Sequence, residues 1–161
     1  MTLALRPVRV VVAWFSRTAF FRRYGPRMMP PLERAAAFVT RGRRGPLSGA
    51  VVPSLVLHTI GARSGQPRES ALMCCPLADG TILVTGSNFA RPEHPAWTAN
   101  LLAHPDAEID FRGDRIPVRA ELVPDDQREE TWRLLEAQWP GYRGYERSSG
   151  RVLRIFRLTP R

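Results

Sequence analysis

From residue 54 onward, short apolar runs are separated by turn-forming residues, a pattern typical of β-strands. Asp79-Gly80 and Gly113-Asp114 are hairpin signals, because such pairs adopt the tight turns that connect antiparallel strands. The predicted strands are residues 55–59, 70–77, 81–85, 107–111, 116–123 and 152–158. Six short strands with helices between them predict an α+β fold built on an antiparallel barrel.

Helical spacing replaces this pattern in two places within the same region. Residues 95–104 predict a helix, with a proline near the start and Pro105 at the end. A second helix is predicted to reach residue 139, with Asp125 or Asp126 as its N-cap and two glutamates in its first turn. These helices would flank the barrel.

Residues 7–23 predict an amphipathic helix, because apolar and basic residues separate onto different sides at about 100° per residue. Residues 32–39 predict a second short helix, and residues 41–53 predict a linker rich in Gly, Pro and Arg. We therefore divide the chain into a basic amphipathic arm, residues 1–45, and a barrel domain, residues 46–161. The apolar side of the first helix carries Val8, Val11, Val12, Phe15 and Ala19, and its basic side carries Arg6, Arg9 and Arg17.

The positive charge of the chain is concentrated in the arm. Residues 1–50 hold ten Arg and one acid, Glu33, for a net charge of +9, whereas residues 51–161 hold fourteen Arg and fourteen acids. A neutral body without a recognition motif argues against a nucleic-acid-binding protein. All 24 basic residues are Arg, so lysine-based chemistry is excluded and any anion site uses guanidinium groups.

The cysteines and histidines do not form a metal or disulfide pattern. Cys74 and Cys75 are adjacent in a strand and point to opposite faces, so we interpret both as small buried residues in a reducing cytoplasm. His58 is predicted as a half-buried strand residue and His104 as a helix-end residue. His94 is a candidate for ligand contact.

No segment predicts a membrane span, since the apolar run at residues 10–15 is far shorter than the ~18–20 residues that a crossing needs. A basic amphipathic helix can rest on an anionic membrane surface, and packing on the barrel is the alternative. The expected location is the cytoplasm, with peripheral contact at the inner face of the cell membrane.

Three segments carry candidate chemistry. Residues 61–68 combine a Gly-containing turn with two arginines, which suits a phosphate or carboxylate, although the segment taken alone favours a solvated basic hairpin. Residues 86–100 lead from a strand end into a helix N-terminus and predict either a pocket wall or an ordinary connection. Residues 139–145 place three aromatics at three-residue spacing, on one helical side, where they cover either a flat ring or the core.

In this order and spacing, the three segments resemble the deazaflavin-dependent nitroreductase and quinone reductase family, from about residue 50 to the C-terminus. The resemblance implies a split β-barrel and reduced coenzyme F420, whose tail carries phosphate and glutamates. The implied cofactor-binding residues are Arg63, Ser64, Gly65, Gln66, Pro67 and Arg68 at the tail, Ala71 and Thr85 at the ring, and Ser87, Asn88, Trp97 and Asn100 in the second segment. The implied substrate-side residues are Trp139, Tyr142, Tyr145 and Ser87.

The family's reaction is hydride transfer from C5 of the reduced deazaflavin to a quinone-like or nitro-type acceptor, with Tyr142 or Ser87 donating a hydrogen bond to the developing oxyanion. Two departures bear on this expectation. Asn88 stands where some relatives have lysine, and Trp139 replaces a tyrosine, so a quinone is the expected acceptor rather than a nitroimidazole. The alternatives are an FMN-binding split-barrel reductase, a non-catalytic deazaflavin carrier and a nucleic-acid-binding protein.

Overall fold

The computed structural model describes residues 53–161, which form a closed antiparallel barrel of six strands in the order β1-β2-β3-β6-β5-β4. Three helices flank the barrel, with 3₁₀ turns at Asn88–Ala90 and Asp125–Gln127. The strands are β1 (Ser54–Ile60), β2 (Pro67–Pro76), β3 (Ile82–Thr85), β4 (Asp106–Phe111), β5 (Asp114–Leu122) and β6 (Ile155–Pro160), and the helices are α1 (Ala96–Ala103), α2 (Arg128–Gln138) and α3 (Gly144–Ser149).

The barrel closes where β1 pairs with β4, with Leu57 opposite Ile109. Because strand side chains alternate, one face of each strand fills the interior and the other faces outward. The interior is apolar and includes Leu55, Leu57, Cys74, Ile82, Val84, Trp97, Leu101, Ile109, Val118, Phe156 and Leu158. The predicted α+β split barrel of about six antiparallel strands with flanking helices is confirmed.

A second apolar cluster lies outside the barrel, where α2 covers the outer faces of β2, β3 and β6. Trp132 and Leu135 of α2 pack there with Cys75, Leu83 and Ile155. Cys74 belongs to the interior cluster and its neighbour Cys75 to this outer one, and both thiols are buried and unbridged. The prediction of two buried cysteines on opposite faces is therefore confirmed.

Two predicted strand starts, those of β2 and β6, were wrong by three residues. β2 begins at Pro67, three residues before the prediction, because a tight turn closed by Gly61 N–H and Gln66 O (2.8 Å) lets pairing continue to the strand end. β6 begins at Ile155 rather than at residue 152. The reason is that the Leu153 N–H donates to the Glu146 carboxylate (2.9 Å) and not to a strand partner.

The predicted cap of α2 and one hairpin turn were also wrong in detail. Asp125 and Asp126 lie in a 3₁₀ turn before α2, and neither caps the helix through its side chain. Phe111 pairs with Asp114, so the two central residues of the β4–β5 turn are Arg112 and Gly113. Both have positive φ. The predicted turn had been placed one residue later.

The predictions for the arm lie outside the described residues. These are the helices at residues 7–23 and 32–39, most of the linker at 41–53, and the boundary between residues 45 and 46. Within residues 53–161, no helix is long and apolar enough to cross a membrane.

Candidate active site

A small cavity opens on the outer face of β2 and β3, beside the end of α2. Its empty volume is about 240 Å³, which includes space open to solvent. Apolar side chains dominate its wall, and a few polar groups point into it, as in most ligand sites. It is lined by Met73, Cys74, Cys75, Leu83, Thr85, Leu135, Gln138, Trp139 and Tyr142.

Tyr142 is the buried phenol of this cavity. Its Oη donates to Ser87 Oγ at 3.4 Å, and its ring packs edge-on against Trp132 and Tyr145. Burial raises the pKa of Tyr142 to about 12, although the hydrogen bond to Ser87 acts in the opposite direction. The phenol is therefore neutral at physiological pH and remains a hydrogen-bond donor.

The hydroxyl of Thr85 is buried without a hydrogen-bond partner among the described residues. Its oxygen lies near enough to Tyr142 to lower that phenol's pKa, but not in hydrogen-bonding geometry. An unsatisfied buried hydroxyl costs about 1–3 kcal/mol, so folded proteins rarely keep one without reason. Because Thr85 lines the cavity, a ligand or a water molecule that enters it would supply that partner.

The three aromatics of residues 139–145 gather here, but not on one helix as predicted. Pro140 disfavours helical backbone at Trp139, where α2 ends, and Gly141 turns the chain at φ 76° before α3 begins. Trp139 and Tyr142 are nonetheless buried at the cavity, and the ring of Tyr145 lies 5.6 Å from that of Tyr142. The turn after α2, rather than a helix, therefore brings the three aromatic side chains together.

The turn between β1 and β2 is held from below by Asn100 of α1. Its Oδ1 accepts from Ala62 N–H at 2.9 Å, and its Nδ2 donates to Thr59 Oγ1 at 3.0 Å. Asn100 is buried, so these two bonds use its amide internally. The structure therefore gives Asn100 the role of fixing the turn, and direct cofactor contact by this residue stays a prediction.

The same turn presents two arginines that form no ion pair with any residue of 53–161. Arg63 is exposed. Within the described part of the chain, Arg68 donates to Pro67 O and to Ser64 Oγ, both at 3.4 Å. Gln66 N–H also donates to Ser64 Oγ, and Gly65 adopts φ 63°. Two uncompensated guanidinium groups beside a turn suit an anionic ligand.

The outer face of β2 connects this turn to the cavity. Ala71 and Met73 are exposed on the face that also carries Cys75. From Arg68 to Met73 the strand spans about 16 Å at ~3.3 Å per residue. The surface therefore places a turn that carries two arginines at one end of the outer face of β2, which bears Glu69, Ala71 and Met73, and a hydroxyl-lined cavity at the other end.

Comparison with known proteins agrees with this geometry. A family profile described as F420H(2)-dependent quinone reductase matches residues 33–160. The chain belongs to this family. An F420H(2)-dependent quinone reductase of Mycobacterium tuberculosis strain H37Rv is 35% identical over 127 residues, which cover 76% of this chain and 83% of that protein.

Solved structures show the same fold. The F420-H2 dependent reductase FDR-A superposes with a TM-score of 0.59 at 27% identity, over 66% of this chain and 94% of that structure. A structure described as a domain-swapped dimer superposes with a TM-score of 0.62 at 24% identity, over 79% of this chain and 95% of that one. Family membership confirms the predictions of an F420H2-dependent oxidoreductase and of reduced F420 as its cofactor.

In this family member, Trp97 and Asn88 make internal contacts. Trp97 is buried inside the barrel, with its ring 5.8 Å from that of Phe156, and so packs in the core. Asn88 Nδ2 donates to Glu93 O at 2.8 Å and closes the loop after β3. Cofactor contact by either residue stays a prediction.

The histidines of this reductase lie apart from the cavity lining. His58 is half-buried on β1 and hydrogen-bonds to Asp110 at 2.8 Å, and His104 follows the end of α1, as predicted. His94 Nδ1 lies 3.1 Å from a guanidinium nitrogen of Arg151. Burial, with the charges of Arg154 and Arg151, lowers the pKa of His94.

Sequence reasoning missed Arg151 and Gln138. Arg151 donates to Ser87 O at 2.9 Å and to Arg91 O at 3.0 Å, and so holds the loop that carries Ser87. Gln138 lines the cavity and donates to Cys74 O at 2.7 Å. Both contacts join residues about sixty positions apart, and no local pattern in the sequence signals them.

Proposed function

We propose that this reductase delivers the two electrons of reduced F420 to a quinone bound at the cavity beside Tyr142. The observation that carries the proposal is that two buried hydroxyl groups lie close together at one end of β2. They are the neutral phenol of Tyr142 and the hydroxyl of Thr85, which has no hydrogen-bond partner among residues 53–161. The other end carries Arg63, which forms no ion pair with another described residue. This order along one strand matches an elongated cofactor that has a flat ring at one end and an anionic tail at the other.

The residues present fit F420. The turn at residues 61–68 would hold the phosphate and carboxylates of the tail through Arg63 and Arg68. Ala71, with its small side chain on the outer face of β2, leaves space for the ring, and Thr85 Oγ1 would satisfy its hydrogen bond at a polar atom of the ring. When bound, reduced F420 supplies a hydride to the acceptor.

The protein's own contribution is to orient the acceptor and stabilise its charge. A quinone oxygen becomes negative as it is reduced, and a neutral donor already in place stabilises that oxyanion without reorganising. Tyr142 Oη carries such a proton, and Ser87 Oγ accepts its hydrogen bond in the absence of ligand. We assign Tyr142 as the hydrogen-bond donor, with solvent as the source of the final proton.

A quinone is favoured as acceptor by the cavity wall and by the relatives. Met73, Leu135 and Trp139 present apolar surface to a flat, uncharged ring. The related protein of Mycobacterium tuberculosis is named a quinone reductase. Nitro-type compounds are the second acceptor class, to be assayed beside quinones.

Replacing Arg63 with alanine is expected to weaken F420 binding about tenfold, because one charge-assisted hydrogen bond contributes about 1.5–3 kcal/mol. The measurement is fluorescence titration of F420, with FMN in parallel. Arg133→Ala is the matched control, since it removes another exposed arginine, which pairs with Glu130 on α2. Equal F420 affinities of Arg63→Ala and wild type would show that Arg63 does not bind the cofactor tail. Binding of FMN but not F420 would overturn the proposed function.

Replacing Tyr142 with phenylalanine is expected to lower kcat with menadione about 10–100-fold and to leave the F420 Kd within about threefold, because one oxyanion donor is lost. Since the pKa of Tyr142 is about 12, the phenol is protonated throughout, and the loss should be constant from about pH 6 to 9. Ser148→Ala is the control, because it removes an exposed hydroxyl on α3 outside the cavity lining, and it should retain wild-type kcat. An unchanged kcat in Tyr142→Phe would exclude Tyr142 as the donor.

We also propose that residues 1–45 bring the enzyme to an anionic membrane surface, where lipid-soluble quinones reside. The support is the net charge of +9 in residues 1–50 beside a neutral remainder. Full-length protein should co-sediment with vesicles containing phosphatidylglycerol, and less so at high salt, whereas protein lacking residues 1–45 should not. Equal sedimentation of the two proteins would contradict the proposal.

A further inference from the structure

Arg151 contacts the loop of residues 87–94 at three separate points. Its Nη2 donates to Ser87 O at 2.9 Å, its Nε donates to Arg91 O at 3.0 Å, and its Nη1 lies 3.1 Å from His94 Nδ1. These contacts span the whole loop from residue 87 to residue 94. The guanidinium fork is suited to this task, because its donors diverge at fixed angles within one plane.

The loop requires such a restraint because its backbone is unusual. Asn88, Phe89 and Ala90 follow one another at φ 47°, 53° and 59°, a left-handed conformation that side-chain-bearing residues rarely adopt. Three such residues in sequence persist only where surrounding contacts hold them. Within the loop, Ser87 O also accepts from Ala90 N–H at 3.0 Å, so the carbonyl gripped by Arg151 is the one that closes the turn.

That carbonyl belongs to Ser87, so Arg151 also fixes the backbone position of Ser87. Ser87 Oγ accepts the hydrogen bond of Tyr142 Oη, the phenol that we assign as donor to the acceptor oxygen. Gly86, just before it, approaches α1 so closely that an added Cβ would lie 2.8 Å from Thr98 Cγ2. The chain is therefore fixed on one side of Ser87 by packing and on the other by Arg151.

We propose that Arg151 is a positioning residue for turnover, which acts by holding the Ser87 hydroxyl against Tyr142. The inference rests on the proposed function, because it assigns work to the same pair of hydroxyls. The hydrogen bonds of Arg151 within residues 53–161 are all to atoms of this loop, and its proposed role requires no contact with cofactor or acceptor. A lysine in its place keeps the charge but reaches one of the three acceptors at a time.

His94 supports this arrangement. An arginine N–H can donate to His94 Nδ1 only if that nitrogen is unprotonated. Burial and two neighbouring arginines lower the pKa of His94, which keeps the ring neutral and the nitrogen available at physiological pH. The third point of the grip is thus maintained under working conditions.

The kinetic test compares Arg151→Lys with wild type in menadione reduction by reduced F420. We expect kcat to fall about tenfold or more, because a small displacement of aligned groups slows the reaction strongly. The F420 Kd should change less than about threefold. Arg147→Lys is the matched control, because Arg147 is an exposed arginine on neighbouring α3 without a polar contact among residues 53–161. It should retain wild-type kcat.

Two further readouts separate positioning from a loss of fold. In a Ser87→Ala background, Arg151→Lys should change kcat by less than about twofold, because the group it positions is gone. In cofactor-free protein, Arg151→Lys should accelerate amide hydrogen exchange in residues 87–94 and leave β4 and β5 unchanged.

The outcomes distinguish this inference from the proposed function. Wild type that binds no F420 or reduces no quinone would overturn both. Active wild type with an unaffected Arg151→Lys, or equal losses with and without Ser87, would overturn only the role of Arg151. Faster exchange confined to residues 87–94, together with a loss of kcat that requires Ser87, would establish it.

Discussion

The packing of α2 on the outer face of the barrel is the contact on which the candidate site depends. Trp132 and Leu135 cover Leu83 and Ile155 there, and so create a second core outside the first. Tyr142 is carried into that core by the turn after α2, and its hydroxyl is buried with it. Burial keeps the phenol neutral, and the neighbouring hydroxyl of Thr85 has no hydrogen-bond partner among residues 53–161. The same contact thus buries two hydroxyl groups side by side at the cavity.

Two internal tethers fix the loops at the ends of the site. The side-chain amide of Asn100, on α1, hydrogen-bonds to the β1–β2 turn and to Thr59. These bonds fix the backbone that carries the arginines of that turn. Arg151, just before β6, does the same for the loop that carries Ser87. Neither tether lies in the segment that it controls. A site made of loops is in this way given the rigidity of the barrel that supports it.

The parts that sequence reasoning predicted well are those set by local patterns. Alternation located all six strands, and the two adjacent cysteines were correctly assigned to opposite faces. The parts it missed depend on distant contacts or on competing local effects. Pro140 ended the helix that aromatic spacing favoured, and Arg151 acts across about sixty residues. F420 itself came from resemblance, since no single residue pattern specifies a deazaflavin.

Thr85→Val tests most directly whether the buried hydroxyl of Thr85 binds the ligand of this site. Valine preserves the shape and removes the buried oxygen that lacks a partner. Urea unfolding of the cofactor-free protein and fluorescence titration with F420 should change in opposite directions. Stability should rise by about 1 kcal/mol, and F420 affinity should fall about 3–10-fold. A variant that binds F420 as tightly as wild type would contradict the account, whatever its stability.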